Sequence, residues 1–188
     1  MRRAGGCWGC LTLYDSNGST VLGTGTANAA TGAFAVTTSA LSTGSHTISA
    51  KATDAAGNVG SASAGIAVIV DTVPPATPTA LSLDAATDSG TKGDGITSFA
   101  QAKINGMAEP GSSVTLYDNN GSTVLGTGMA DATTGAFAIT TSPLTTGSHT
   151  IRARATDAAG NVSAASTGYA VTVTSSPAGF YDHIVVVV

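Results

Sequence analysis

The sequence predicts an all-β protein made of tandem β-sandwiches, the first copy truncated and the second complete. Three observations lead there. "TDAAGNV" stands at Thr53–Val59 and again at Thr156–Val162, 103 positions apart. Apolar residues alternate with polar ones between turn signals, the period-2 pattern of half-buried strands. No stretch joins helical periodicity to capping residues. Catalytic constellations are normally assembled once from scattered residues, so a verbatim repeat points to a structural unit copied whole.

A shift of 103 aligns Leu11–Val59 with Val114–Val162 without a gap. That period is too long for common solenoids but fits a sandwich domain of roughly 100 residues. In "TIRARAT", Ile151, Ala153 and Ala155 alternate with Arg152, Arg154 and Thr156. "AFAIT" places Phe137 and Ile139 on one face, and "YAVTV" does the same with Tyr169, Val171 and Val173. Turn signals separate these runs: Asn120-Gly121 in "DNNGS" is a hairpin dipeptide, and "ATTGA" and "TTGSH" each hold a glycine. The second copy then has strands expected near 79–83, 100–107, 113–117, 123–128, 136–141, 149–156 and 168–174. About seven short strands with regular turns read as an Ig-like sandwich.

In the first copy, position 11 corresponds to position 114, so the counterparts of the first two strands would fall mostly before residue 1. "MRRAGGCWGC" stands there, unlike "INGMAEPGSS" at the matching place. The expected organisation is an unmatched segment 1–10, a truncated repeat 11–70, a Pro-rich linker 71–79, a complete repeat 80–174 and an unmatched tail 175–188. This is the pattern of a fragment from a longer array. The linker, "DTVPPATPT", has three prolines that fix φ and favour an extended, semi-rigid connection. A copy short of two strands should expose an apolar face and unpaired edges. "IVVVV" (Ile184–Val188) adds a β-prone tail that could serve as a substitute strand.

Composition narrows the function. Charged residues are 10% of the chain, against roughly 25% in ordinary globular proteins. A net charge of −4 gives no basic footprint, which argues against nucleic acid. No apolar run approaches the roughly 20 residues of a membrane span, and the basic start lacks an apolar h-region. Cys7 and Cys10 have CxxC spacing, yet no second Cys or His pair completes a zinc site and no βαβ pattern supports a redox motif. The rest of the chain contains no cysteine and is expected to fold without disulfides. Neither GxSxG nor HExxH is present. His46 and His149 share one repeat position in "TGSHTI", with no partner set of nucleophile and acid beside them, so no enzyme is expected. Asn17, Asn120 and Asn161 begin N-x-S sequons, of which the first two are better explained by hairpin turns.

Acidic residues number only eleven, and three of them, Asp84, Asp88 and Asp94, crowd into "DAATDSGTKGDG" with Lys92. Carboxylates on a Gly-rich loop suit Ca2+, a hard cation that takes 6–8 oxygen ligands. The alternative is that each forms an Asx-turn with its own backbone.

"DTVPPATPT", "DAATDSGTKGDGIT", "INGMAEPGSSVTLYD" and "ATDAAGNVS", in that order, resemble the bacterial Ig-like repeats of giant surface adhesins, the biofilm-associated and type I-secreted families. The resemblance covers about Leu11–Thr174. It implies a stalk of tandem sandwiches at the bacterial cell surface, its partners the neighbouring repeats, stiffened by Ca2+ where domains meet. If strands alternate in direction, a junction site would combine Asp71 and Asp157, with Glu109, and the first-loop carboxylates of the preceding domain. The Asp84–Asp94 loop would face the following domain, leaving both sites half-built here. "TDAAGNV" then places Asp54 or Asp157 at each junction, unless that aspartate simply caps its turn.

The expected function is a non-catalytic spacer whose adhesive ligand the sequence does not reveal. A carbohydrate- or protein-binding Ig-like module and an accessory domain of a secreted hydrolase are the alternatives. Amide hydrogens in residues 11–70 should exchange faster than those in 76–174; equal rates measured by mass spectrometry would contradict the unequal completeness of the two copies.

Overall fold

The computed structural model describes residues 9–119 and 121–175. Cys7, Trp8, Asn120, His183 and the "IVVVV" tail lie outside the described residues. The chain divides into two compact units, Met1–Thr72 and Val73–Val188. All regular elements described are strands.

Unit 2 holds eight of them: β5 (Thr79–Leu83), β6 (Ile96–Thr97), β7 (Lys103–Met107), β8 (Ser113–Tyr117), β9 (Val124–Met129), β10 (Ala136–Thr140), β11 (Gly147–Thr156) and β12 (Tyr169–Val173). One sheet runs β10-β7-β5 and the other β6-β12-β11-β8-β9. Side chains from the two sheets meet in a core where Ile104, Val114, Leu116, Ile151 and Val171 are completely buried. The alternation Ile151, Ala153, Ala155 is the buried face of β11, as its sequence predicts.

Two details depart from the sequence expectation. β6 brings the strands to eight; it pairs parallel to β12, and at two residues it is too short for an alternation to show. β7 begins at Lys103, because Ala100 and Ala102 accept bonds from the Leu144 and Thr141 amides instead of continuing a regular ladder. The register of β7 with β10 sets Ile104 against Ile139 and Gly106 against Phe137. A Cβ on Gly106 would lie 2.4 Å from the Phe137 ring, so the phenyl can lie there only over bare backbone.

Unit 1 has four described strands, β1 (Cys10–Tyr14), β2 (Val21–Thr26), β3 (Gly44–Thr53) and β4 (Ile66–Val70), in one antiparallel sheet ordered β2-β1-β3-β4. They correspond to β8, β9, β11 and β12. Residues 33–37, "AFAVT", match β10 in sequence but form no strand, and none of the described residues pairs with them as β7 does with β10. The apolar face is accordingly open: Phe34 is 50% exposed where its counterpart Phe137 is 4% exposed. Ile66 is 69% exposed. Leu13 and Ile48 are half-buried, while Leu116 and Ile151 at the matching places are sealed. Cys10, at the start of β1, is disulfide-bonded.

Phe137→Ala should destabilise unit 2 by about 3–5 kcal/mol through lost burial and a cavity. The same change at half-exposed Phe34 should cost only ~0.5 kcal/mol. Denaturant unfolding of the two variants checks the contrast.

Candidate functional site

The duplicated "TDAAGNV" folds into the same closed loop in both units. Isolated antiparallel bridges join Thr53 to Val59 and Thr156 to Val162. Inside, Asp157 is the hub: its Oδ1 accepts the amides of Ala159 and Asn161, each at 2.9 Å, and its Oδ2 accepts the Asn161 side-chain amide at 2.9 Å. Asp54 repeats this with Ala56 and Asn58. Gly57 and Gly160 sit at φ of 91° and 92°, where an L side chain is strained. The bonds from the asparagine side chain lead the causes that hold both carboxyls below their ordinary pKa. Every letter of the motif except the first alanine thus has a task in closing one turn.

The acidic loop between β5 and β6 separates its three carboxylates. Asp84 Oδ1 accepts the Ala86 amide, while Oδ2 accepts from Asn105 at 3.0 Å and pairs with Lys103 at 3.5 Å. The Ala86 amide, then Asn105, lowers the Asp84 pKa. Asp94 is exposed, and its Oδ1 accepts the Ile96 amide at 2.8 Å. Asp88 differs from both. Only 2% exposed, it accepts the Gly93 amide on Oδ2 at 2.7 Å, and its Oδ1 has no partner. Lys92 reaches back into the loop and donates to the carbonyls of Ala85 and Asp88. Asp71 lies exposed after β4 in unit 1, and Asp157 lies in unit 2. No three His, Cys, Asp or Glu side chains converge as a metal-binding group among the described residues.

A second duplicated constellation went unnoticed in the sequence. His149, buried on β11, engages Asp118 Oδ2 through Nδ1 at 2.9 Å and the Thr145 carbonyl through Nε2 at 2.8 Å. His46 does the same with Asp15 at 3.0 Å and the Ser42 carbonyl at 2.8 Å. A carbonyl and a carboxylate both only accept, so these partners favour the form in which both ring nitrogens donate, the imidazolium. Neither nitrogen is left to act as a base. The signal was present as "YD" recurring 31 residues ahead of each histidine, but a spacing that long carries no local pattern.

A family model described as the bacterial Ig-like domain matches residues 10–72 and 75–174. The chain belongs to that family. Its two bacterial Ig-like domains are also similar to solved structures. One contains the fibronectin(III)-like modules of CbhA from Clostridium thermocellum, at 18% identity and TM-score 0.47, covering 97% of this chain and 87% of that one. Another is the BSP domain of a biofilm-associated protein, at 24% identity and TM-score 0.37, covering 90% and 25%. A third is a tetra-tandem repeat from the extending region of a large adhesion protein, at 24% identity and TM-score 0.39, covering 88% and 41%. The chain therefore spans only a quarter and about two fifths of the latter two. No curated protein matches it. Among the described residues no helix is long and apolar enough to cross a membrane.

The histidines should make the stability of these Ig-like domains depend on pH. Around His46, the Ser42 carbonyl and then Asp15 raise the pKa above its ordinary value. Burial pulls His149 down, yet Thr145 and Asp118 together outweigh it and its pKa is also raised. A raised folded pKa gives stability that is full below about pH 6.5 and is lost as pH climbs through the folded value. Asp15, Asp54, Asp84, Asp131 and Asp157 are lowered, so their contribution is present above about pH 4 and is lost on acidification. Thermal stability should peak near ~pH 5–6 and fall toward pH 8. The double variant His46→Gln/His149→Gln should flatten the alkaline limb; calorimetry across pH checks it.

Proposed function

We propose that the chain is a non-catalytic spacer of a bacterial cell-surface adhesin, set among neighbouring Ig-like repeats of the same parent and stiffened by Ca2+. The duplicated Asp-hub loop carries this reading. What the chain repeats letter for letter is a device that closes a turn, and copying such devices multiplies length without multiplying chemistry. The polar residues common to both copies, Asp54 and Asp157 in the loops and the Asp–His pairs on the sheets, are engaged with their own units.

Ca2+ enters through the loop between β5 and β6. Its donors fit a hard cation: they are oxygens on a Gly-rich backbone, and one buried carboxylate oxygen, Oδ1 of Asp88, is unsatisfied. Asp88 and the carbonyls of Ala85 and Asp88 would hold the ion, in competition with the Lys92 ammonium. Asp71, Asp84, Asp94 and Asp157 are the carboxylates that a neighbouring repeat could recruit. Extracellular sites bind at roughly 10⁻⁴–10⁻³ M, so millimolar Ca2+ would add at most about 1–2 kcal/mol per intact site. The larger effect is on stiffness.

Calorimetric titration of the full chain should give Ca2+ affinity in the ~10⁻⁴–10⁻³ M range. Asp88→Asn should abolish it and Lys92→Ala should tighten it about tenfold. Scattering curves should change when EDTA is added. No heat of binding together with unchanged scattering would remove Ca2+ from the account. Saturable binding on a glycan array would replace the spacer with a binding module.

A further inference from the structure

We propose that the open apolar face of unit 1 is a docking groove for one added β-strand with the pattern of β7, an isoleucine and a glycine two residues apart. Unit 2 is the template. There β7 lies along β10 with Ile104 opposite Ile139 and Gly106 opposite Phe137, and the core beneath is sealed. Unit 1 spells the same acceptor, "AFAVT" for "AFAIT", and leaves it without a strand alongside among the described residues. In front of it runs an apolar groove of about 700 Å3, lined by Leu13, Phe34, Ile48, Ile66 and Val68 among others.

The acceptor segment is already in place. In unit 2 the Asp131 amide binds the Ala136 carbonyl at 2.8 Å and the Ser142 amide binds the Leu125 carbonyl at 2.6 Å, fixing both ends of β10. Unit 1 has the same two clamps, Asn28 to Ala33 at 2.7 Å and Ser39 to Leu22 at 2.7 Å. Little ordering remains for an incoming strand to impose. The Thr141 and Leu144 amides bind the carbonyls of Ala102 and Ala100, each at 2.8 Å, whereas Thr38 and Leu41 make no such backbone bond to a described residue. Main-chain bonds along such an edge supply affinity, and pockets for alternate side chains supply specificity.

Two features choose the occupant. The bonding positions lie along 33–41, so the partner must run beside that segment, which a second unit-1 sheet pressed face to face would not do. The Phe34 ring needs a residue without a side chain opposite it, as Phe137 needs Gly106. The occupant is therefore an extended I-x-G strand of another bacterial Ig-like repeat.

The probe is a synthetic peptide of residues 100–108, "AQAKINGMA", added to the full chain. We expect one-to-one binding by calorimetry and amide exchange at 33–41 slowed by ~tenfold or more, with 136–144 unchanged. Peptides carrying Gly106→Val or Ile104→Asp should not bind, nor should the wild-type peptide bind a Phe34→Asp chain. The proposal is overturned by absence of binding, or by equal binding of the Gly106→Val peptide. It is equally overturned if 33–41 is as protected as 136–144 without peptide, because the tail or a second copy then already fills the groove.

Discussion

Closure of the sandwich over Leu116, Ile151 and Val171 is the constraint on which the rest of unit 2 depends. With aromatics at 5% of the chain, no single ring can anchor the core, so aliphatic side chains from both sheets must share it. β7 is the strand that allows this. It lies between β10 and β5, contributes the sealed Ile104, and offers the bare backbone of Gly106 to the one phenyl group that crosses the gap. Among the described residues, unit 1 shows the corresponding sheet without a second one against it. The hydrogen-bonded ladder persists through β1 to β4, but inner side chains such as Leu13 and Ile48 stay half wet. Backbone pairing and burial are separable here, and only burial requires the second layer.

Outside the core, order comes from short polar side chains tied to nearby backbone. Asp54, Asp84, Asp94, Asp131 and Asp157 each accept amides from residues that follow them closely in the chain, which stiffens loops that have few apolar contacts. In a chain with only seven basic residues, few carboxylates can be neutralised by salt bridges, so amide donors do that work. Among the described residues Asp88 alone keeps a side-chain oxygen unpaired under burial, which sets its loop apart from the other turns.

Much of this was legible in the letters. The all-β class, the alternation on β10, β11 and β12, and the hairpin turns follow from local patterns whose physics is local. The loop of "TDAAGNV" was readable as a turn, although its Asn-to-Asp side-chain bond was not. β6 was missed because two residues cannot alternate. The Asp118–His149 pair was missed because its members stand on different strands, and only the register of β8 with β11 brings them together. The separation of Asp84, Asp88 and Asp94 was also hidden, since closeness in sequence says nothing about which amide each carboxylate will face. The Gly106–Phe137 contact has the same origin: a glycine in a strand looks like a weakness until the opposite strand is known.

The near identity of the two units has a cost during folding. β3 and β11 both begin "GSHTI", and β1 and β8 share "TLY", so a nascent strand meets two almost equivalent partners. Cross-pairing between neighbours is a known failure of repeat proteins, and it grows as their sequences converge. "SAKAT" and "RARAT" differ at two letters, Ser49 against Arg152 and Lys51 against Arg154. They are among the few marks by which each half of the chain can recognise its own.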